Sequence, residues 1–381
     1  YKYYNLKVVN MVFLISATIL LFMTFIESKR LFQLSIIIVG LYYSLTFAYG
    51  YDWMNYYDTY LDVQNGYYNS FFIEPGYLIL MRLSVFLGMD FPIFNSIVTV
   101  LMYIMVYSFC IRLKSPNLAF FTIFCFLSFF MFTEQIRQGI ALCIILYAMQ
   151  YIAKEKKILF VVYVIIASFF HISAILTLLY LFMLKSNKAS MIKFMILSFT
   201  LTSVLLYSLY NPALFSWIPF VGDKISAYAY LFSDKNIGFW TYVFQSKLIY
   251  LYFLLFVLLY LKRNANAGIF SGVGAVFFLF LSRLSSFLVR IGYYFVPFLI
   301  ISVDGFMSQS GKGSKMTLFK FTYVIIVYSI ATIPLWNPLY REGASNHLSI
   351  FSQQKDINNE IGRKCTILRK YYEDIVITRC L

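Results

Sequence analysis

Continuous apolar runs punctuate the chain at about residues 9–26, 31–49, 74–88, 92–111, 118–132, 136–152, 158–170, 172–184, 194–209, 241–261, 269–282, 286–302 and 317–336. Many reach or approach the roughly 17–25 residues that cross a bilayer as a helix. Outer-membrane strands would instead alternate apolar and polar residues over about ten positions. The pattern therefore predicts an all-α polytopic integral membrane protein with about 11–13 transmembrane or re-entrant helices. Glu27-Ser28-Lys29-Arg30, rather than a small-residue cleavage site, follows the first run, so that run is expected to stay as a span.

Basic clusters fall between the runs: Lys29/Arg30, Arg112/Lys114, Lys154/Lys156/Lys157, Lys185/Lys188/Lys193, Lys262/Arg263 and Lys312/Lys315. Cytoplasmic loops concentrate lysine and arginine. If every cluster is cytoplasmic, each interval between clusters must hold an even number of crossings. Three runs lie between Arg30 and Arg112, so one of them cannot cross. Run 74–88, which carries Arg82 and follows Glu74-Pro75-Gly76, is the candidate for a re-entrant helix. Residues 158–184 keep the parity only as a hairpin of two short halves bending near His171. The opposite face then receives 50–73, the ends around Glu134 to Arg137, the bend at His171, 210–240 and the stretch beginning at Arg283. On this reading residues 1–340 form a single transmembrane domain with extracytoplasmic loops 50–73 and 210–240, and residues 341–381 form a polar C-terminal tail.

Composition agrees, since 12% of residues are charged and 61% hydrophobic, against roughly 25% charged in a soluble domain. A net charge of +15 would suit nucleic acid. Distributed in clusters between apolar runs, it reads as an orientation signal instead, and no nucleic-acid partner is expected. Cys110, Cys125 and Cys143 lie in apolar runs as core residues, whereas Cys365 and Cys380 can pair only if the tail is extracytoplasmic. The sequence has no CxxC, HExxH, P-loop or nucleophile-elbow motif, which leaves zinc protease, ATPase and hydrolase readings unsupported. No internal repeat is visible, which weakens an inverted-repeat transporter.

The first outer stretch reads Tyr51-Asp52-Trp53-Met54-Asn55-Tyr56 and ends in Glu74-Pro75-Gly76-Tyr77, with no lysine or arginine between. Its tyrosines would suit an interfacial belt. Aromatic faces with interspersed carboxylates also suit sugar rings, and Tyr51, Trp53, Asn55, Tyr56, Tyr77 and the distant Tyr293 are the candidate glycan contacts. A carboxylate, Asp52 or Glu74, can serve as general base. Arg137 lies away from the cytoplasmic clusters, as an interfacial snorkelling residue or an anion contact. Arg283 and Arg290, seven residues apart, are expected on one helix face. Guanidinium groups at membrane depth call for a cavity or an anionic partner such as a diphosphate. His171, inside an apolar run, is either a core residue or a proton acceptor near neutrality.

The order Gly50-x-Asp52-x-x-Asn55-Tyr56, Glu74-Pro75-Gly76-Tyr77, Ile136-Arg137-Gln138-x-Ile140-Ala141 and Phe170-His171-x-Ser173-Ala174, closing with Arg-x-x-Tyr-Tyr at Arg290 to Tyr294, resembles the EpsG family of Wzy-type polysaccharide polymerases over about residues 1–340. Residues 341–381 have no counterpart in that resemblance. It implies a bacterial inner-membrane O-antigen or exopolysaccharide polymerase with a GT-C-like fold, multi-pass, its active site facing the periplasm. Such a glycosyltransferase takes its donor glycan from undecaprenyl diphosphate, not from a nucleotide sugar. Arg137, Arg283 and Arg290 would then bind the diphosphate, with His171 the first choice of base and Asp52 or Glu74 the second. Implied partners are lipid-linked oligosaccharide repeat units, membrane lipid and a chain-length regulator protein. No cofactor is expected, no metal ligands are assigned, and a divalent-metal requirement stays open. Competing readings are a flippase for lipid-linked sugars and an O-antigen ligase using the same donor.

Overall fold

The computed structural model describes residues 10–67, 74–217, 243–263, 268–284, 288–309, 314–332 and 336–371, with Gly222, Ile225, Ser226, Ala229 and Cys380. Most of the expected 210–240 loop, and 68–73 of the first one, lie outside the described residues. Five helices among the described residues are long and apolar enough to cross a membrane: Phe91–Cys110, Pro116–Glu134, Ile136–Ala153, Lys188–Tyr210 and Val289–Ser308. Shorter apolar helices accompany them, and the protein is an all-α polytopic membrane protein. Its contacts divide it into one unit of Tyr1–Ile175 with Val327–Leu381 and another of Leu176–Ile326.

The first unit begins with α1 (Asn10–Met23), α2 (Lys29–Ser44), the short strand β1 (Thr46–Phe47), α3 (Asp52–Gln64), α4 (Pro75–Phe86) and α5 (Phe91–Cys110). Then come α6 (Pro116–Leu127), which runs on as a π-helical segment over Ser128–Glu134, α7 (Ile136–Ala153) and α8 (Lys157–Ser168). Local chemistry sets the starts. The Ser28 hydroxyl and the Asp90 carboxylate each accept an amide at 3.3 Å, from Leu31 and Ile93, capping α2 and α5. Prolines, which lose nothing where no intrahelical partner exists, open α4 and α6.

Basic residues gather at one end of this unit. Asn117, in the first turn of α6, donates from Nδ2 to the carbonyls of Ile26 and Ser28 at 2.7 and 3.2 Å. That bond sets Lys29/Arg30 beside Lys114. The Arg112 guanidinium lies 5.5 Å from the centre of the Tyr147 ring, on the part of α7 that leads to Lys154. From there α5, 20 residues long, reaches about 30 Å, the thickness of a hydrocarbon core. The far ends of α2, α5, α6, α7 and α8 carry the sequence motifs.

Helix α4 stays at that far end. The Tyr60 hydroxyl on α3 bonds the Ser84 hydroxyl at 2.8 Å and the Met89 carbonyl at 2.7 Å, and α5 starts at once with Phe91 against Tyr57 and Tyr60. Near its start Tyr77 packs on Tyr56, so both ends of α4, a helix of 12 residues, rest on α3. Residues 52–64, expected within a loop, are helical. Trp53, Tyr56, Tyr57, Tyr60 and Val63 form the buried face, while Asn55 and Asp62 are exposed, the spacing of an amphipathic helix.

The chain leaves the first unit through a break at Phe169–His171 and a 3-10 helix, Ile172–Phe182. The second unit holds α9 (Lys188–Tyr210), α10 (Lys247–Leu261), α11 (Ile269–Ser282), α12 (Val289–Gly292), α13 (Val296–Gln309) and most of α14 (Ser314–Ala331). Helix α11 packs on α9, α10 and α13. Ser302 on α13 bridges to it, its hydroxyl accepting from the Gly272 amide at 3.2 Å and donating to the Gly268 carbonyl at 2.7 Å. A side chain at residue 272 would fill that approach, the usual reason for small residues between membrane helices.

The described part of the polar stretch after Arg341 is folded and belongs to the first unit. It follows α15 (Pro338–Gly343) with strand β2 (Leu348–Ser349) and α16 (Gln354–Tyr371). Strand β2 pairs antiparallel with β1, Thr46 opposite Ser349 and Phe47 opposite Leu348. Helix α16 buries Ile357, Ile361, Cys365 and Leu368 on one side, and a disulfide joins Cys365 to Cys380.

Candidate active site

Glu74-Pro75-Gly76-Tyr77 forms the start of α4, and each residue has a separate task. The backbone of Glu74 is extended, and its carboxylate forms an ion pair with Arg137 rather than capping the helix. Gly76 donates its amide to the Phe169 carbonyl at 2.8 Å. A Cβ there would stand 2.9 Å from that oxygen, so glycine is required for the approach. Tyr77 is buried edge-on against Tyr56, ring centres 5.7 Å apart. The Tyr56 ring in turn lies 5.5 Å from the Arg137 guanidinium, a cation–π distance.

Arg137 occupies the first turn of α7, immediately after the π-helical segment, and is partly exposed at 28% while its Glu74 partner is 10% exposed. His171 follows two residues after the carbonyl that receives Gly76. Its Nδ1 and the Ser173 hydroxyl are 2.6 Å apart, which fixes the ring. Glu74, Arg137, Tyr56, Tyr77 and the His171 turn thus form one neighbourhood at the end of the unit away from the basic clusters. A guanidinium carries five donors, so a site that already orients one by a carboxylate and an aromatic face is chemically suited to an oxyanion ligand.

The Gly50 turn is built around a residue that the sequence did not single out. Glu134, 3% exposed, accepts the amides of Tyr51 at 2.8 Å and Asp52 at 3.2 Å through Oε2. Its carboxylate stands in for the missing cap of α3 and fills the space beside Gly50, where any Cβ would collide with it. Asp52 opens α3 half-buried. Tyr51 is buried and its hydroxyl donates to the Leu339 carbonyl at 2.9 Å, while buried Trp53 donates from Nε1 to the Gly50 carbonyl at 3.1 Å. Asn55 is the exposed member of the expected glycan-contact set on α3.

Beneath this turn lies α16. Lys364 donates to the carbonyls of Tyr49 at 2.9 Å and Gly343 at 2.5 Å. Burial pushes its ammonium below the ordinary lysine range, against the pull of Glu360. His347 stacks on Tyr49 with ring centres 5.1 Å apart, and burial lowers its pKa as well. Neither lysine nor histidine announced itself in the sequence. The available signal was an apolar stripe in the polar stretch, with Lys364 inside it.

In the second unit Arg283 is 6% exposed and donates from Nη2 to the Tyr252 hydroxyl at 3.0 Å and the Tyr293 hydroxyl at 2.6 Å. Its partners are two phenols rather than a carboxylate, and its Nε has no hydrogen-bond partner. Arg290 is half-buried on α12. The expectation that Arg283 and Arg290 share one helix face is corrected by the structure. Arg283 ends α11 and a separate helix starts at Val289, so seven-residue spacing does not align them. Among the described residues no three His, Cys, Asp or Glu side chains converge as metal ligands.

Compared with known families, the sequence matches the one described as the EpsG family over residues 29–338. No curated protein and no solved structure matches it.

Proposed function

The chain belongs to the EpsG family, and on that premise we propose that it is a membrane glycosyltransferase that polymerises O-antigen or exopolysaccharide. A glycan linked to undecaprenyl diphosphate is transferred to a hydroxyl of the next lipid-linked repeat unit, on the periplasmic face of the bacterial inner membrane. The observation that carries the reading is the Glu74–Arg137 ion pair held against Tyr56 beside the His171 turn. Its end of the unit is the one away from Lys29/Arg30, Arg112/Lys114 and Lys154, the residues expected to face the cytoplasm. The Cys365–Cys380 disulfide at the same end supports an oxidising compartment there.

In the proposed step the acceptor hydroxyl attacks the anomeric carbon, the bond to the diphosphate oxygen breaks, and the electron pair leaves with the diphosphate. Charge grows on that oxygen as the bond lengthens, so a pre-oriented guanidinium at Arg137 stabilises the transition state more than the ground state. Arg283 and Arg290 are the further diphosphate candidates. His171, its ring fixed through Ser173, accepts the hydroxyl proton, and Asp52 is the second choice. Glu74, expected alongside Asp52 as the alternative base, is engaged in orienting Arg137. Exposed Asn55 would border the sugar, with Tyr56 and Tyr77 buried behind Arg137. A chain-length regulator is the expected protein partner, and the step as written uses no cofactor.

Purified protein in lipid vesicles, given lipid-linked repeat units, tests this directly. Longer lipid-linked glycans are expected. Translocation without elongation would make it a transporter, and transfer only to a lipid A-core acceptor would make it a ligase.

A further inference from the structure

Lys364 lies beyond residue 338, where the family match ends. Its side chain is fully buried, on a helix whose other face is exposed and polar. Nζ reaches the Tyr49 and Gly343 carbonyls and stands 3.5 Å from Glu360 Oε1. The charged and titratable groups facing it are Glu360 and Arg363 from its own helix, Glu134 from the end of α6, His347 beside β2, and Tyr51, whose ring centre is 5.4 Å from Nζ. Glu360 is in turn held by Arg363 and by Asn346. Tyr49 immediately precedes Gly50, and the next two amides are those gripped by Glu134. One turn is therefore held from one side by a buried ammonium and from the other by a buried carboxylate. Removing either partner of such an arrangement leaves the other charge buried without its balance.

We propose that Lys364 is a positioning residue for the Gly50–Asp52 turn. Holding the Tyr49 carbonyl while Glu134 holds the Tyr51 and Asp52 amides, it clamps the first turn of α3, so that the C-terminal segment of this chain completes a site that the family core only outlines. The consequence for activity rests on the polymerase reading above, but the clamp itself does not.

Hydrogen exchange on the purified full chain tests the clamp. Lys364→Met keeps side-chain length and removes the charge, and exchange in the 49–54 segment is expected to rise on the order of a hundredfold. Adding Glu134→Gln restores the charge balance while leaving an oxygen to accept the two amides. The double variant is therefore expected to recover most of the protection, whereas a role in packing alone would make the two changes additive. Exchange in Lys364→Met equal to the unsubstituted protein, or a double variant worse than the single one, overturns the proposal. If Lys364→Met does not accumulate, the double variant decides alone, since protection there supports the clamp and failure to accumulate or loss of protection overturns it. Elongation is measured in parallel. A shift in exchange, with no elongation by the unsubstituted protein, leaves the clamp standing and rejects the polymerase reading.

Discussion

At the scale of single residues, Arg137 and His171 make the sharpest expectations. Arg137→Ala removes the ion pair with Glu74 and the contact with Tyr56. Losing one group that stabilises a developing oxyanion is expected to slow elongation by about 10²-fold or more. Single-repeat lipid-linked product should then accumulate at normal protein levels, and an unchanged glycan ladder would remove Arg137 from the reaction. His171→Ala should cost about 10²–10⁴-fold if histidine is the base. Near-normal elongation would transfer that role to a carboxylate. His347 gives a pH signature. Its folded pKa lies below the ordinary value of 6.5 because it is buried, so the unfolded chain binds its proton first. The neutral form's contribution is fully present above about pH 6.5 and is lost as pH falls toward the folded value. Melting of the purified protein measured from pH 8 to pH 5 should show this decline, and His347→Gln should flatten it. Arg137 was legible in the sequence because an arginine stood apart from the basic clusters. Glu134 was not, because its task depends on amides 83 and 82 residues earlier in the chain, which no local spacing reveals.

Elements explain what the apolar runs could and could not say. The runs coincide with the apolar helices, and run 74–88, expected as the surplus one between Arg30 and Arg112, is the short helix α4 packed on α3. Helix α3 went unread because its core face is tyrosine and tryptophan, residues equally at home in an interfacial loop. The positions Trp53, Tyr56, Tyr57 and Tyr60 nevertheless follow a helical spacing. The same holds for Ile357, Ile361 and Leu368 in α16, a stripe too narrow to stand out among polar neighbours. For the link between α4 and the His171 turn, Gly76→Ala is the informative change. Its Cβ would press on the Phe169 carbonyl, which is backbone and cannot rotate away. A loss of about 1–3 kcal/mol is expected from such overpacking, read as a lower melting temperature together with weakened elongation. Unchanged stability would mean that the junction yields easily and does not set the site.

On the scale of the whole molecule, the proposed orientation draws on charge distribution and disulfide chemistry, and it can be checked without any substrate. Phe351, 82% exposed beside β2, and Lys114, exposed at the basic end, are suitable reporters. In cells with an opened outer envelope, a membrane-impermeant thiol reagent should label Phe351→Cys at once and Lys114→Cys only after the membrane is permeabilised. The reverse order would reject a periplasmic site. An expected orientation could be drawn from lysine and arginine clusters, because it depends on composition along the chain. The end of the first unit that holds the Gly50 turn could not, because it joins segments 315 residues apart.

That joining also sets an order of events during synthesis. Tyr49 and its partner Lys364 are separated by 315 residues, and strand β1 waits nearly as long for β2. Contacts so distant form late. The Gly50 turn leaves the ribosome long before its clamp does, and on the proposed orientation that clamp must itself be carried across the bilayer. A half-made or C-terminally clipped chain would therefore sit in the membrane with its helices inserted and its outer end unfinished, a built-in delay between insertion and competence.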